Sequence, residues 1–129
     1  MASRPAQPSD FELQILGILW NHGPLTVRQV MSHLTDKKRA YTSVLSVIQV
    51  MQKKGLVAAQ AEREGLANVY KPTVARATVM KPLLKGLVSR VFGGRTSDVV
   101  QHLLQEGEVN QAEIEKLRAL LDESEKRLK

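Results

Sequence analysis

The chain has 129 residues, 43% hydrophobic and 25% charged, which excludes a wholly disordered protein and allows one domain or a small domain with a helical appendage. Its 19 Lys and Arg residues against 13 Asp and Glu give a net charge of +6, which favours an anionic partner, with nucleic acid ahead of a membrane surface. Because there is no cysteine and no apolar run of about 18 residues, disulfides, thiolate metal sites and membrane insertion are excluded.

Two prolines and small polar residues make residues 1–8 a predicted flexible arm. This segment lacks the apolar core of a signal peptide, so we expect a cytoplasmic protein. Ser9 and Glu12 have the spacing of a capping box and begin a strongly apolar helix, which Gly23-Pro24 ends. Thr26, with Gln29 three residues later, predicts a second, shorter helix over 27–34.

The third predicted helix runs from about Tyr41 to Lys54 and ends at Gly55, which supplies a positive φ. At 3.6 residues per turn, Val44, Val47, Ile48 and Met51 share one face, which predicts contact with a core. The opposite side carries short polar or basic residues: Thr42, Ser43, Ser46, Gln49 and Lys53.

That polar side favours a helix that contacts phosphates and base edges. The alternative is an ordinary solvated face, but such faces collect Glu and Lys, and this helix contains no acidic residue. Lys38 and Arg39, just before the helix, are predicted to contact the DNA backbone, although a charged turn can also be merely solvated.

A predicted hairpin follows, with strands over 56–62 and 68–71 and a turn at Arg63-Glu64-Gly65. Arg63 is placed for a phosphate or minor-groove contact, although its acidic neighbours would repel phosphate. Three helices and a two- or three-stranded wing within residues 9–74 predict a winged helix-turn-helix domain in a mainly α protein.

The remainder, residues 75–129, is predicted to be helical. A helix over 75–92 contains Pro82, which predicts a kink or a late start. A short helix begins at Thr96, and Asn110 opens the last one, whose Ile114, Leu117 and Leu121 form an a/d-like stripe. Residues 75–95 carry +5 and residues 96–129 carry −3, so the two parts differ in charge. A second copy of the chain is the simplest cover for the stripe.

Signals for catalysis and metal binding are weak throughout. His22, His33 and His102 lie far apart in the sequence and have no partner at metal-ligand spacing. No nucleophile elbow, phosphate-cradling loop or paired-carboxylate site is recognisable. We therefore predict a protein that is not an enzyme and needs no cofactor or metal.

Taken together, six segments in order and spacing resemble the penicillinase-repressor family of bacterial transcription factors (BlaI/MecI/CopY type): DFELQILGILW, GPLTVRQV, AYTSVLSVIQVMQKKGLV, VYKP, RVFGG and EIEKLRALLDE. The resemblance covers nearly the whole chain, from Ser9 to Glu123. It implies a homodimer that binds inverted-repeat operators in double-stranded DNA, with the third helix of each subunit in a major groove. Carried onto this chain, the groove-facing positions are Ser43 and Ser46, with Thr42 adjacent.

The family's dimer is formed by intertwined C-terminal helices. The corresponding residues of this chain are Leu103, Ile114, Leu117 and Leu121, with Phe92 near the junction.

Three departures from the family pattern bear on specificity and induction. Many relatives carry a basic residue where this chain has Val50, so one DNA contact is expected to differ. The copper-responsive branch uses C-terminal cysteines, which are absent here. In the β-lactam branch a membrane sensor metalloprotease pathway cuts an Asn-Phe bond, and the matching position here is His102-Leu103, so the inducing signal stays open.

Two alternatives remain from the sequence. One is a ligand-sensing repressor of the MarR kind, which would need an effector pocket between arms and wings. The other is a winged-helix adaptor that binds a protein and not DNA, whose affinity would depend little on salt.

Overall fold

The computed structural model describes residues 7–61 and 67–129, which form two compact units, residues 7–82 and 83–129. In chain order its elements are α1 (Asp10–His22), α2 (Val27–His33), α3 (Tyr41–Lys53), β1 (Val57–Ala61), β2 (Asn68–Pro72), α4 (Arg76–Val91), α5 (Thr96–Glu106) and α6 (Gln111–Leu128). The protein is mainly α, as predicted, and each predicted helix is present.

Local hydrogen bonds explain where the first helices begin. The Ser9 hydroxyl accepts from the Glu12 N–H, while the Glu12 carboxylate accepts from the Ser9 N–H, which completes a capping box at α1. Thr26 and Gln29 make the same reciprocal pair at α2. Both predicted caps are therefore confirmed.

The end of α3 is a Schellman motif. The Leu56 N–H donates to the Met51 carbonyl at 2.9 Å, and the Gly55 N–H donates to the Gln52 carbonyl at 3.1 Å. Gly55 has φ 79°, a left-handed conformation that glycine adopts without a Cβ penalty. This turn directs the chain from α3 into β1.

The wing is an antiparallel hairpin in which Val57 pairs with Pro72 and Ala61 pairs with Asn68. Leu25, between α1 and α2, forms an isolated bridge with Tyr70 through two backbone hydrogen bonds of 3.0 and 2.8 Å. This bridge ties the hairpin to the segment between α1 and α2. Three helices and this hairpin make a winged helix-turn-helix.

One hydrophobic core joins α1, α2, α3 and the hairpin. Its buried members are Ile15, Leu16, Leu19, Val27, Val30, Leu34, Val44, Ile48, Met51, Leu56, Val57 and Tyr70. Trp20 is half-buried at the edge, and its indole Nε1–H donates to the Val74 carbonyl at 3.0 Å. This bond fixes the segment that leads into α4.

The C-terminal helices differ from this pattern, because none of their residues is buried within the described chain. α4 begins at Arg76 and continues through Pro82, so the helix does not start after the proline. Gly93 and Gly94, both at positive φ, form the turn to α5. Asn110 caps α6 by accepting from the Glu113 N–H at 2.9 Å. Across the described residues, no helix combines the length and hydropathy needed to cross a bilayer.

Candidate nucleic-acid interface

α3 is sharply two-sided. Val44, Ile48 and Met51 are completely buried, and Leu45 and Val47 are partly buried against the same core. The five predicted contact residues on the other side are all exposed: Thr42, Ser43, Ser46, Gln49 and Lys53. A helix whose inner side is this firmly packed presents its outer side as a rigid surface.

The exposed side has the chemistry of a groove-reading surface. At 100° per residue, Thr42, Ser46, Gln49 and Lys53 span an arc of only about 60°. Hydroxyl and amide groups can both donate and accept hydrogen bonds, and Lys53 adds a positive charge at the end of the row. The absence of acidic residues from α3 keeps this side compatible with phosphate.

A partly buried ion pair anchors the C-terminal end of α3 to α1. The Lys54 Nζ donates to Glu12 Oε1 at 2.8 Å, and Glu12 is only 3% exposed. Burial alone would raise the pKa of Glu12, but hydrogen bonds from Lys54 and the Ser9 backbone outweigh it and lower that pKa below its ordinary value. The charged pair therefore joins the two helices at neutral pH.

The basic turn before α3 is largely engaged within the protein. The Lys37 Nζ donates to the Ser32 carbonyl at 2.6 Å. The Arg39 guanidinium lies 3.7 Å from the centre of the Phe11 ring, and its Nε is 3.7 Å from Asp36 Oδ2. The Lys38 side chain is exposed beside them. Of the two predicted backbone contacts, Lys38 needs less rearrangement to reach a phosphate than Arg39.

Residues missed by the sequence analysis line a cleft between α2, α3 and the hairpin. Arg28 lies over the Tyr41 ring, 4.9 Å from its centre, and both line the cleft with Gln49 and Asn68. One signal could have identified Arg28. It is a cation in the first turn of α2, where it opposes the helix dipole and does not stabilise the helix.

The remaining residues considered in the sequence analysis are Arg63 and the histidines. Arg63, predicted to contact a phosphate or the minor groove, lies outside the described residues. His22 and His33, distant in sequence, are stacked with ring centres 3.9 Å apart and planes 16° from parallel. Among the described residues, no group of three or more His, Cys, Asp or Glu is arranged to hold a metal ion.

The predicted dimer residues are accessible to different degrees. Leu103 and Leu121 are 63% and 67% exposed, whereas Ile114 and Leu117 are partly buried. Phe92 is partly buried, and its ring centre lies 5.3 Å from that of His102 in an edge-to-face contact. Further large apolar side chains are exposed on α4, α5 and α6: Leu84, Leu87, Val91, Leu104, Leu120 and Leu128.

The chain is similar to several known proteins. The sequence model of the Penicillinase repressor family matches residues 8–123. A relative described as the penicillinase repressor of Bacillus licheniformis is 26% identical over 128 residues, which cover 95% of each chain.

Two solved structures are also similar to the chain. The solution structure of the DNA binding domain of the repressor BlaI has 22% identity and a TM-score of 0.49, with 59% of this chain and 92% of that one covered. A crystal structure of a probable transcriptional regulator from Pseudomonas aeruginosa has 20% identity and a TM-score of 0.49, with 92% and 79% covered.

Proposed function

The chain belongs to the penicillinase repressor family, and we propose that it represses transcription by binding an inverted-repeat operator as a homodimer. Members of this family are transcriptional regulators and not enzymes. The observation that carries the proposal is the outer side of α3, where exposed hydroxyl, amide and lysine groups stand opposite a fully buried apolar side.

We assign DNA binding to residues 9–74. In this proposal α3 enters a major groove, where Thr42, Ser43, Ser46 and Gln49 meet base edges and phosphates. Phosphate neutralisation is assigned to four basic residues: Lys38, Arg39, Lys53 and Arg63. Each neutralised phosphate makes binding weaker at higher salt.

We assign dimerisation to residues 75–129. Eight leucine and valine side chains of α4, α5 and α6 are exposed, and pairing with a second chain would remove such apolar surface from water. The opposite net charges of residues 75–95 and 96–129 allow the same two segments from two copies to pair with complementary charge. A two-fold interface of this type uses Phe92, Leu103, Ile114, Leu117 and Leu121 from both chains.

Two-fold symmetry of the protein requires two-fold symmetry of the DNA site. We expect half-sites whose centres lie about one helical turn apart, roughly 10 base pairs, or a multiple of that. A bound dimer that overlaps a promoter excludes RNA polymerase. Since such an operator lies on chromosomal DNA, the protein is expected to act in the cytoplasm.

Footprinting of the DNA upstream of the protein's own gene tests this proposal. We expect a protected inverted repeat, two protein chains per site, and affinity that falls at least tenfold between 50 and 200 mM salt, in line with several phosphate contacts. Protection of an asymmetric site by one chain would contradict the dimer. No protected site, together with salt-independent binding to a protein, would favour the adaptor alternative.

The membrane sensor metalloprotease pathway remains an expectation from the family. His102 and Leu103 lie inside α5, and a protease cleaves an extended chain, so cleavage there requires α5 to unwind locally. A gene for such a sensor next to this one would support induction by proteolysis. Mass spectrometry of the repressor after induction identifies the cut bond directly. The substitution Leu103→Pro is a poor test of the pathway, because proline also breaks α5.

A further inference from the structure

We propose that Val50 is a specificity-determining residue of the DNA-binding surface and contacts the C5-methyl group of one thymine in each half-site. This inference rests on the proposed function, because it requires α3 to lie in a major groove. It assigns a role to a residue whose side chain is neither part of the core nor able to form hydrogen bonds.

The valines of α3 are in three different environments. Val44 is completely buried and Val47 is partly buried, whereas Val50 is 45% exposed. A single exposed apolar residue is ordinary on a protein surface and indicates nothing by itself. The position of Val50 is what distinguishes it: on the helix surface it lies next to Ser46 and Lys53, within the predicted groove-reading side.

The neighbours of Val50 leave its methyl groups accessible. Ser46, one turn earlier, is too short to cover them. Lys54, one turn later, is held at 2.8 Å by Glu12 on α1 and is therefore directed toward the core side. Because valine is branched at Cβ and strongly restricted at χ1 in a helix, its two methyl groups are fixed relative to the α3 backbone.

The chemistry of the major groove then selects the partner. Thymine presents a methyl group there, while cytosine presents an N–H donor and the purines present N7 acceptors. A valine side chain against the donor or acceptor groups of these other bases would displace the water bound to them without replacing its hydrogen bonds, which is unfavourable. Valine against the thymine methyl buries apolar surface on both sides. Val50 is thus expected to favour thymine and to disfavour the other bases at one position of each half-site.

The test uses the full-length protein and duplexes selected by it from a randomised pool. Each thymine of the selected site is replaced in turn by deoxyuridine, which removes only the methyl group. At one symmetric position we expect binding to weaken about fourfold per half-site, as for loss of one buried methyl-sized group. The other replacements serve as internal controls.

Two variants of the protein connect that position of the DNA to Val50. Val50→Ala should bind the thymine site more weakly than the wild type and should lose its sensitivity to deoxyuridine at that one position. Val50→Thr, which keeps one methyl group, should retain part of the sensitivity. The substituted site is exposed and alanine favours helices, so the melting temperature should be unchanged.

The outcomes separate this inference from the proposed function. If the pool yields no bound duplex, the proposed function fails. If it yields a bound inverted repeat but no thymine position where deoxyuridine and Val50→Ala are coupled, only the role of Val50 is overturned. A selected site without a conserved thymine under α3 would overturn it equally.

Discussion

The two units of the protein bury their apolar residues to very different degrees. Residues 7–82 contain all twelve buried hydrophobic residues of the described chain, whereas none of the residues in 83–129 is buried. The first unit has a core of its own and positions α3 through it. The second unit consists of helices whose apolar sides remain accessible, and such helices gain most of their stability from packing against something else. The difference fits the proposed dimer, in which a second copy of the chain would cover the helices of the second unit.

The largest expected effect is in the first unit. Ile48→Ala removes a completely buried side chain from the centre of α3 and should lower the free energy of unfolding by about 4 kcal/mol through lost burial and a cavity. Urea denaturation measures this, and the loss should not depend on protein concentration. Gln52→Ala, exposed on the same helix, is the control and should change little.

In the second unit, the effect of a core-side substitution should depend on protein concentration. Leu117→Asp places a carboxylate in the apolar stripe of α6 and should weaken the dimer by about 3 kcal/mol, with weaker operator binding as a result. Sedimentation measures the dimer. Lys116→Asp changes a neighbouring exposed residue on another side of the helix and should leave the dimer in place. If Leu117→Asp sediments as a dimer, the interface lies elsewhere.

A charge on α3 should separate DNA binding from both folding and dimerisation. Ser46→Glu should weaken operator binding about a hundredfold, because the new carboxylate faces phosphates, while the melting temperature and dimer stay as they were. A gel shift measures the affinity. Gln14→Glu adds the same charge to the exposed side of α1 and is the control. Unchanged binding by Ser46→Glu would mean that α3 does not read the operator.

The smallest effect concerns the ion pair that holds α3. Glu12→Gln should lower the free energy of unfolding by about 2 kcal/mol at pH 7, because it removes the charged partner of Lys54. The pKa of Glu12 is lowered in the folded protein, so its contribution is complete above the ordinary value of 4.5 and is lost as the pH falls through the folded value. Wild type and variant should therefore converge in acid. Asp10→Asn, which removes an exposed carboxylate from the same turn, is the control for the change in net charge.

Elements with local signals were predicted well. The capping residues Ser9, Thr26 and Asn110 each bond to a backbone N–H three residues later, and Gly55 ends α3 with a positive φ. These interactions involve residues that are close in the chain, so a short sequence window contains both partners. The apolar residues of α3, which recur every three or four positions, likewise predicted its buried side.

Contacts between distant residues could not be predicted in the same way. Glu12 and Lys54 are 42 residues apart, and nothing near either one indicates the other. The guanidinium of Arg39 lies against the ring of Phe11, which is far earlier in the chain, and its DNA contact stays a prediction. The Arg28 and Tyr41 contact was missed because the first belongs to α2 and the second to α3.

The sequence by itself determined the helices, the hairpin, the apolar side of α3 and the family, because periodicity, caps and motifs are local patterns. The tertiary structure decided which charged and aromatic side chains are engaged within the fold and which face outward. It holds Lys54 against α1 and leaves Val50 exposed beside Ser46. Those outcomes depend on which helices pack together, and packing brings together residues that no local pattern connects.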